Sequence, residues 1–302
     1  MSRPVETKFL PEQSVDAAAG NPSMKEDSRL QVGMILSQLS TQGIGQQLNL
    51  LPEVSSTNTF LMELPAAESP HGLVVTTEHQ TGGHGRHGRA WFSPRGANLA
   101  FSVCLRPKSH PGGLATLAGA CAVVAVLREK GIRAAIKWPN DITLQQPATE
   151  VDGTRIFRDL KLGGVLCESR AESDQSLRLV LGIGLNVNIP HDKFPEDLRN
   201  TASSLRAACG KILDRNRLLA ALLNRLEEVW RQLESEGSGE LVRTARGYCE
   251  TLGHMVRVDL GGWCVEGIAE DLDPQGCLVL RLESGVKRVL GIGAIQQTRR
   301  ID

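Results

Sequence analysis

A stretch of almost entirely apolar residues, 114–130, constrains the fold of this chain more than any other feature. Gly131 follows it, and a glycine in the left-handed conformation often caps the carboxyl end of a helix. The stretch therefore predicts a helix that ends near Lys130. So little polar surface requires burial on nearly all sides, and no segment of the chain approaches the roughly 18 apolar residues of a membrane span. We expect a globular protein built around this helix.

Strand-like segments lie on both sides of the helix, at residues 48–54, 72–77, 98–105, 134–144, 161–168 and 177–188. In segment 98–105, large apolar residues alternate with small ones, which is typical of a strand with two different faces. The polar residues 145–159 predict a mobile surface hairpin between two strands. Asp214 predicts the cap of a second long helix that reaches Glu236 and carries one apolar stripe.

The two ends of the chain differ from this middle part. Residues 1–28 are polar and proline-containing, which predicts a disordered tail. A short helix is expected between residues 30 and 39. From Leu252 onward, four short strands at 254–260, 262–268, 277–282 and 286–290 predict a small β-domain. We therefore divide the chain into the tail (1–28), a main domain (29–247, with a short N-terminal element at 29–47) and a C-terminal domain (248–302).

Charge and cysteine content limit the classes of function. The 34 basic and 34 acidic residues balance, so no global attraction to nucleic acid or membrane is expected. Residues 1–50 carry four basic and five acidic residues, which argues against a DNA-reading module there. The seven cysteines show no Cys-x-x-Cys spacing, which argues against a disulfide framework and a zinc site. These features predict a cytoplasmic protein.

The segment 80–91 is the main candidate for a ligand-binding loop. It contains Gly82, Gly83, Gly85 and Gly88 and follows a predicted strand. Such glycines let a backbone bend sharply and bring its N–H groups close to an anion. Two arginines in the loop add a fork geometry that suits carboxylate and phosphate oxygens, and Trp91 offers a flat face for a ring. A solvated loop with incidental arginines is the alternative.

Four further stretches accompany this loop in a fixed order. They read Ser-Ser-Thr-Asn at 55–58, Lys-Trp-Pro-Asn-Asp at 137–141, Lys-Leu-Gly-Gly-Val-Leu-Cys-Glu at 161–168 and Gly-Ile-Gly-Leu-Asn-Val-Asn at 182–188. With these five motifs, the chain resembles the biotin protein ligases over roughly residues 50–295. Residues 55–58 also suit a helix N-cap, and that structural role is compatible with binding by their neighbours.

The resemblance implies a fold, a reaction and partners. The fold is an α+β domain, a mixed, largely antiparallel sheet packed with helices, followed by a small C-terminal SH3-like β-barrel. The reaction is the ATP-dependent attachment of biotin, through biotinyl-5′-AMP, to a lysine of a biotin carboxyl carrier protein, a domain of a biotin-dependent carboxylase. Mg²⁺ accompanies ATP, with Asp141 as the candidate protein ligand. No DNA or membrane partner is expected, and a homodimer is compatible with the family.

The resemblance also assigns roles to residues. The catalytic candidates are Lys161 and Arg86. The biotin-binding candidates are Ser56, Thr57, Asn58, Gln80, Gly83, Gly85, Arg86, Gly88, Lys161 and Gly163. The ATP-binding candidates are His84, Arg86, Arg89, Trp91, Lys137, Asn140, Asp141, Lys161 and Asn186. Cys167 lies in an apolar run and is interpreted as a core residue, not a nucleophile.

One position departs from the family pattern, and two other functions remain open. The family loop usually reads Gly-Arg-Gly-Arg-x-Gly, whereas His84 replaces the first arginine here. A neutral imidazole holds a phosphate less firmly than a guanidinium, so weaker retention of the nucleotide is expected. The alternatives are a lipoate or octanoate attachment enzyme of related fold and a non-catalytic biotin-sensing regulator.

Overall fold

The computed structural model describes residues 29–108, 113–145, 149–151, 154–156, 159–173, 176–291 and 294–299. The predicted disordered tail, 1–28, lies outside these residues. The helices are α1 (Val32–Leu36), α2 (Thr57–Glu63), α3 (Leu114–Glu129), α4 (Leu205–Cys209), α5 (Arg215–Glu236) and α6 (Gly239–Tyr248). The strands are β1 (Leu48–Leu51), β2 (Val74–Thr77), β3 (Leu99–Leu105), β4 (Ala134–Lys137), β5 (Asp141–Gln145), β6 (Thr149–Val151), β7 (Thr154–Ile156), β8 (Asp159–Ala171), β9 (Leu177–Leu185), β10 (Met255–Asp259), β11 (Cys264–Leu272), β12 (Leu278–Arg281), β13 (Lys287–Leu290) and β14 (Ala294–Arg299).

Seven of these strands form the main sheet, in the order β1-β2-β3-β9-β8-β5-β4. β1 and β2 run parallel, and the other neighbours in the sheet are antiparallel. The mixed sheet packed with helices confirms the predicted fold class. Between β5 and β8 the chain forms the antiparallel hairpin of β6 and β7, where the sequence predicts a surface hairpin. The mobility of that hairpin stays a prediction.

The central helix predicted from the apolar stretch is α3, and it lies against one face of the sheet. Eleven of its residues are buried, and Gly131 follows it with φ of 77°. A Cβ at Gly119 would lie 3.0 Å from Val165 Cγ1 of β8, so this glycine lets the helix approach the sheet closely. α5 and α6 pack on α3 and complete the layer.

Two capping predictions are confirmed, and one helix was missed. The Ser56 side chain accepts a hydrogen bond from the Thr59 N–H at the start of α2, and Asp214 caps α5. α6 begins at Gly239, the last residue of the Gly-Ser-Gly sequence that marks the end of α5. The sequence analysis did not identify α6, because it is only ten residues long and buries few apolar side chains. Within the described residues, no helix is both long enough and apolar enough to cross a bilayer.

The C-terminal domain is an antiparallel sheet in the order β13-β12-β11-β10-β14. It contains the four predicted strands and, in addition, β14, which pairs with β10. The β14 segment has one large apolar residue, Ile295, so its sequence carries no strand pattern. A hydrogen bond of 3.1 Å from Trp138 Nε1 to the Gly276 carbonyl joins this domain to the turn between β4 and β5.

Candidate functional site

An open cleft of about 1030 Å³ lies on the face of the main sheet opposite α3. Alternation along the strands explains which residues reach it, because every second residue faces the same side of a sheet. Val165 of β8 contacts α3, so Gly164 and Leu166 face the cleft. In the register of the sheet, Gly164 pairs with Gly184, and Leu166 pairs with Gly182. The floor of the cleft is therefore lined mainly by small residues.

Two glycines of β9 make room for the side chains that lie on this floor. A Cβ at Gly182 would lie 2.2 Å from Asn58 Oδ1, and a Cβ at Gly184 would lie 2.9 Å from Trp91 Cε2. Real Cβ atoms do not approach that closely, so a side chain at either position would displace Asn58 or Trp91. Asn58 at the start of α2 and Trp91 at the end of the glycine loop thus rest directly on the β9 backbone.

One end of the cleft is a buried polar surface at the N-terminus of α2. Thr57 donates its backbone N–H to Gln80 Oε1 over 2.9 Å. Ser102 Oγ lies 2.7 Å from Thr57 Oγ1 and 2.6 Å from Asn58 Oδ1, and Asn58 Nδ2 donates to Glu168 Oε2 over 2.8 Å. Thr57, Asn58 and Ser102 are each less than 5% exposed. Such a surface suits a neutral ligand group with its own donors and acceptors.

Lys161 reaches the cleft because β8 carries a β-bulge. Ile142 pairs with Gly163 and Thr143 with Lys161, so the register shifts by one residue at Leu162. If side chains alternated strictly along β8 from Gly164, Lys161 would face the side of the sheet away from the cleft. The bulge turns Lys161 back toward the cleft. Its Nζ lies 2.6 Å from Asp141 Oδ1 and 5.9 Å from the centre of the Trp91 ring. The cleft thus holds an ammonium group in a defined place.

Cationic side chains dominate the rest of the lining. Arg86, Arg89, Lys137 and Lys161 line the cleft together with the single carboxylate of Asp141 among the described residues. Burial lowers the pKa of Arg86, and the neighbouring Asp141 carboxylate opposes that shift. A guanidinium nevertheless stays charged at neutral pH. The net positive charge suits a ligand with several phosphate oxygens.

The glycine-rich loop folds back on itself over this region. Gly85 N–H donates to the Arg89 carbonyl over 2.8 Å, and Trp91 N–H donates to the Gly83 carbonyl over 2.9 Å. Between them, residues 86–88 form a single 3₁₀ turn in which His87 and Gly88 have φ of 57° and 69°. These bonds bring Arg86 and Arg89 to the cleft on a narrow flap.

Comparison with known proteins identifies the kind of protein that carries this site. The biotin/lipoate A/B protein ligase family matches residues 50–186, and the biotin protein ligase C-terminal domain matches residues 251–296. The biotin–[acetyl-CoA-carboxylase] ligase of Mycobacterium tuberculosis is 35% identical over 259 residues, which span 80% of this chain and 86% of that protein. The chain belongs to the biotin protein ligase family.

Two other relatives agree with this membership. The bifunctional ligase/repressor BirA of Bacillus subtilis is 30% identical over 269 residues, or 88% of this chain and 79% of that protein. A solved structure of biotin protein ligase from Aquifex aeolicus in complex with biotin and ATP superimposes with a TM-score of 0.70 at 29% identity. It covers 85% of this chain and 100% of its own. The biotin ligase fold therefore extends over both domains.

Most site residues predicted for this family member meet in the cleft. They are Ser56, Thr57, Asn58, Gln80, His84, Gly85, Arg86, Arg89, Trp91, Lys137, Asn140, Asp141 and Lys161. The His84 ring lies 3.3 Å from the Gly82 carbonyl through its Nδ1 atom. Burial raises the pKa of Cys167 to about 12, so its thiol is protonated at neutral pH and is not a nucleophile.

Four predicted residues do not line the cleft in this member of the family. Gly163 faces the other side of β8, where a Cβ would lie 2.4 Å from the Gly184 carbonyl. Gly83 lies beneath Gln80 Nε2, and Gly88 lies in the exposed 3₁₀ turn. Asn186 is buried, and its Nδ2 donates to the Ser203 carbonyl over 3.1 Å. The structure gives these four residues supporting positions around the site.

Several residues that line or support the cleft were not predicted from the sequence. Ser102 connects Thr57 to Asn58, and Glu168 holds the Asn58 amide. Gly182 and Gly184 form the floor. The alternation in β3 and the Gly-x-Gly spacing in β9 are the signals that could have found them. Within the described residues, no group of three or more His, Cys, Asp or Glu side chains is arranged to hold a metal ion.

Proposed function

We propose that this chain catalyses ATP-dependent attachment of biotin to a lysine of a biotin carboxyl carrier protein. The biotin carboxylate attacks the α-phosphate of ATP, which forms biotinyl-5′-AMP and releases pyrophosphate. The carrier lysine then attacks the anhydride and displaces AMP. The observation that carries this proposal is one cleft that joins a buried polar end, a lysine ammonium group and a cationic glycine-rich flap.

The buried polar end binds the head of biotin. Its ureido group is neutral and has two N–H donors and one carbonyl acceptor, so it can satisfy the hydroxyl and amide groups of Thr57, Asn58 and Gln80. Lipoate and octanoate have apolar ends that would leave these buried groups without partners, at a cost of about 1–3 kcal/mol for each unsatisfied group. This chemistry favours biotin over the lipoate or octanoate alternative.

Lys161 and the flap stabilise the charge that gathers in the first half-reaction. A carboxylate and a phosphate approach each other, and a fixed ammonium group between them lowers the electrostatic cost. Asp141 holds Lys161 Nζ in place at 2.6 Å. Arg86 and Arg89 contact phosphate oxygens, and Trp91 covers the adenosine part. Catalysis of this reaction distinguishes the proposed function from that of a purely sensing regulator.

The remaining ligands follow from this reaction. Asp141 is engaged by Lys161, and one carboxylate cannot form an all-protein magnesium site, so Mg²⁺ would be carried by the ATP phosphates. The seven cysteines all lie within the described residues and form no disulfide there, which supports a reducing cytoplasm as the setting. The proposal includes no operator DNA and no membrane partner. A homodimer is the assembly to measure by analytical ultracentrifugation.

The test is pyrophosphate release from ATP and biotin, followed by labelling of a purified carrier domain. We expect Lys161→Ala to lower the rate of pyrophosphate release by at least about 100-fold, because it removes the charge that stabilises the developing oxyanion. The matched control is Lys193→Ala, since the Lys193 side chain is 71% exposed and lies outside the cleft. A normal rate in Lys161→Ala with an unchanged melting temperature would refute the assigned role.

A further inference from the structure

A chain of hydrogen bonds runs from Glu168 in β8 to Thr57 in the cleft. Asn58 Nδ2 lies 2.8 Å from Glu168 Oε2, and Asn58 Oδ1 lies 2.6 Å from Ser102 Oγ. Ser102 Oγ in turn lies 2.7 Å from Thr57 Oγ1. Ser102 is fully buried, and Thr57 and Asn58 are 3% and 4% exposed. Water therefore cannot easily supply alternative partners to these groups.

The carboxylate of Glu168, at one end, fixes the donor-to-acceptor direction of every hydrogen bond in this series. A carboxylate only accepts hydrogen bonds, so Asn58 must turn its NH₂ group toward Glu168 and its carbonyl oxygen toward Ser102. That oxygen carries no proton, so the Ser102 hydroxyl donates to it. The short Ser102–Thr57 contact then needs the Thr57 hydroxyl proton.

The direction of these hydrogen bonds determines whether Thr57 Oγ1 is a donor or an acceptor toward a ligand. Thr57 Oγ1 also lies 3.1 Å from Gln80 Oε1, an amide oxygen that can only accept, so this longer contact draws on the same Thr57 hydroxyl proton. Whether it serves Ser102 Oγ or Gln80 Oε1, the Thr57 proton is held by a protein oxygen and is not directed at a ligand. Toward the cleft, which Thr57 lines, Oγ1 offers lone pairs and acts as an acceptor.

We propose that Glu168 is a positioning residue that makes Thr57 Oγ1 an obligatory acceptor for an N–H donor of the bound head group. This inference rests on the proposed function, in which the donor is a ureido N–H of biotin. Glu168 does not line the cleft and acts through Asn58 and Ser102. In an analogue with oxygen in place of that N–H, the lone pairs of this oxygen would face the lone pairs of Thr57 Oγ1, and the hydrogen bond would be lost.

The experiment measures calorimetric binding of biotin and of its two oxazolidinone analogues, in which either ureido N–H is replaced by oxygen. Wild type should prefer biotin over one analogue by about tenfold to 100-fold, the cost of an unsatisfied buried group. In Glu168→Gln, an amide can either donate or accept, so both directions become accessible. The preference should then fall by about threefold or more.

Two further variants distinguish an effect on the direction of the hydrogen bonds from an effect on packing around Glu168. Glu63→Gln, an exposed position on α2, is the matched control and should keep the wild-type preference. Ser102→Ala interrupts the chain, so it should also lower the preference, and adding Glu168→Gln to it should cause no further change. Thermal melting of each variant verifies folding.

The outcomes separate this inference from the proposed function. If Glu168→Gln weakens the binding of biotin and of both analogues by the same factor, Glu168 only supports packing, and the inference is wrong. It is also wrong if Glu168→Gln still alters the preference in the Ser102→Ala background, because the effect would then bypass the chain. Failure of wild type to bind biotin at all would overturn the proposed function together with this inference.

Discussion

We propose that Arg86 governs retention of the biotinyl-5′-AMP intermediate. It lies on the flap and is half-buried, and its charge faces the same cleft as Lys161. We expect Arg86→Gly to speed release of biotinyl-5′-AMP by about tenfold or more, since a hydrogen bond to a charged group is lost. Formation of the adenylate should suffer less, because Lys161 carries that step. His84 in place of an arginine leaves less redundancy, which enlarges the effect.

Labelling of an unrelated bystander protein checks this prediction. Released adenylate reacts with any accessible lysine, so bystander biotinylation should rise in Arg86→Gly at equal adenylate production. Arg243→Ala is the control, since the Arg243 side chain is 75% exposed on α6. Unchanged bystander labelling would mean that the flap arginine serves another step.

Glu227 is a structural residue with a pH-dependent contribution to stability. Its carboxylate accepts the backbone N–H groups of Gln42, Gly43 and Ile44 at 2.6, 2.8 and 2.7 Å. Burial alone would raise the pKa of Glu227, but these three hydrogen bonds outweigh it, and the pKa is lowered from 4.5. A depressed carboxylate pKa stabilises the fold above the unfolded pKa, and this stabilisation disappears as the pH falls through the folded value.

Glu227→Gln should therefore lower the free energy of unfolding by about 2 kcal/mol at pH 7, because a neutral amide cannot accept all three hydrogen bonds as well. The difference from wild type should shrink as the pH falls from about 4.5, where the unfolded chain takes up the proton, through the lower pKa of folded Glu227. Urea unfolding at pH 7 and pH 3 measures both values. A constant difference at the two pH values would contradict the ionic origin.

At the level of elements, β9 shapes, through Gly184, the part of the cleft that we propose to hold the nucleotide. A Val side chain there would displace Trp91, which lies within 3.1 Å of the position of a Cβ. Gly184 is extended backbone in a strand, so Val is conformationally compatible. We expect Gly184→Val to weaken ATP binding by about tenfold, as for loss of a stacked base, with little change in melting temperature.

Fluorescence titration with a non-hydrolysable ATP analogue tests the Gly184→Val effect. Gly247→Ala on α6 is the control, since a Cβ there would meet no atom within 4 Å. Biotin binding should be unchanged in both variants. Equal ATP affinity for Gly184→Val and wild type would exclude Trp91 as a nucleotide-covering residue.

These elements also show how far the sequence is informative. The apolar composition of α3 and the Asp214 cap are local signals, so both helices could be predicted. The bulge at Leu162 depends on hydrogen bonding of Lys161 to Thr201 and Ser203, which are distant in sequence. Lys161 was identified by its resemblance to a family motif, but the bulge that turns its side chain into the cleft could not be predicted from the sequence. Likewise, the contact of Ser102 with Asn58 depends on pairing between β3 and β9.

At the level of the whole molecule, Trp138 couples the C-terminal domain to the cleft. Its backbone N–H donates to Thr251 Oγ1 over 2.9 Å, and its indole Nε1 donates to the Gly276 carbonyl over 3.1 Å. Trp138 lies in the turn that carries Lys137, Asn140 and Asp141 to the cleft. Thr251 and Gly276 both belong to the C-terminal domain, so this domain holds the turn of the main domain at two points. A change in the C-terminal domain should reach the phosphate-binding groups through this residue.

Trp138→Phe tests this coupling, because it keeps an aromatic ring while it removes the indole N–H together with the second ring of the indole. The Gly276 carbonyl then loses its donor, which should lower the free energy of unfolding by about 1–3 kcal/mol. Since the turn carries Lys137 and Asp141 but not the polar end of the cleft, the KM for ATP should rise while the Kd for biotin stays unchanged. Trp263→Phe, at an indole that is 53% exposed on the C-terminal domain, should alter neither value. If Trp138→Phe loses stability but keeps the wild-type KM for ATP, the bond to Gly276 holds the domains together without positioning the turn.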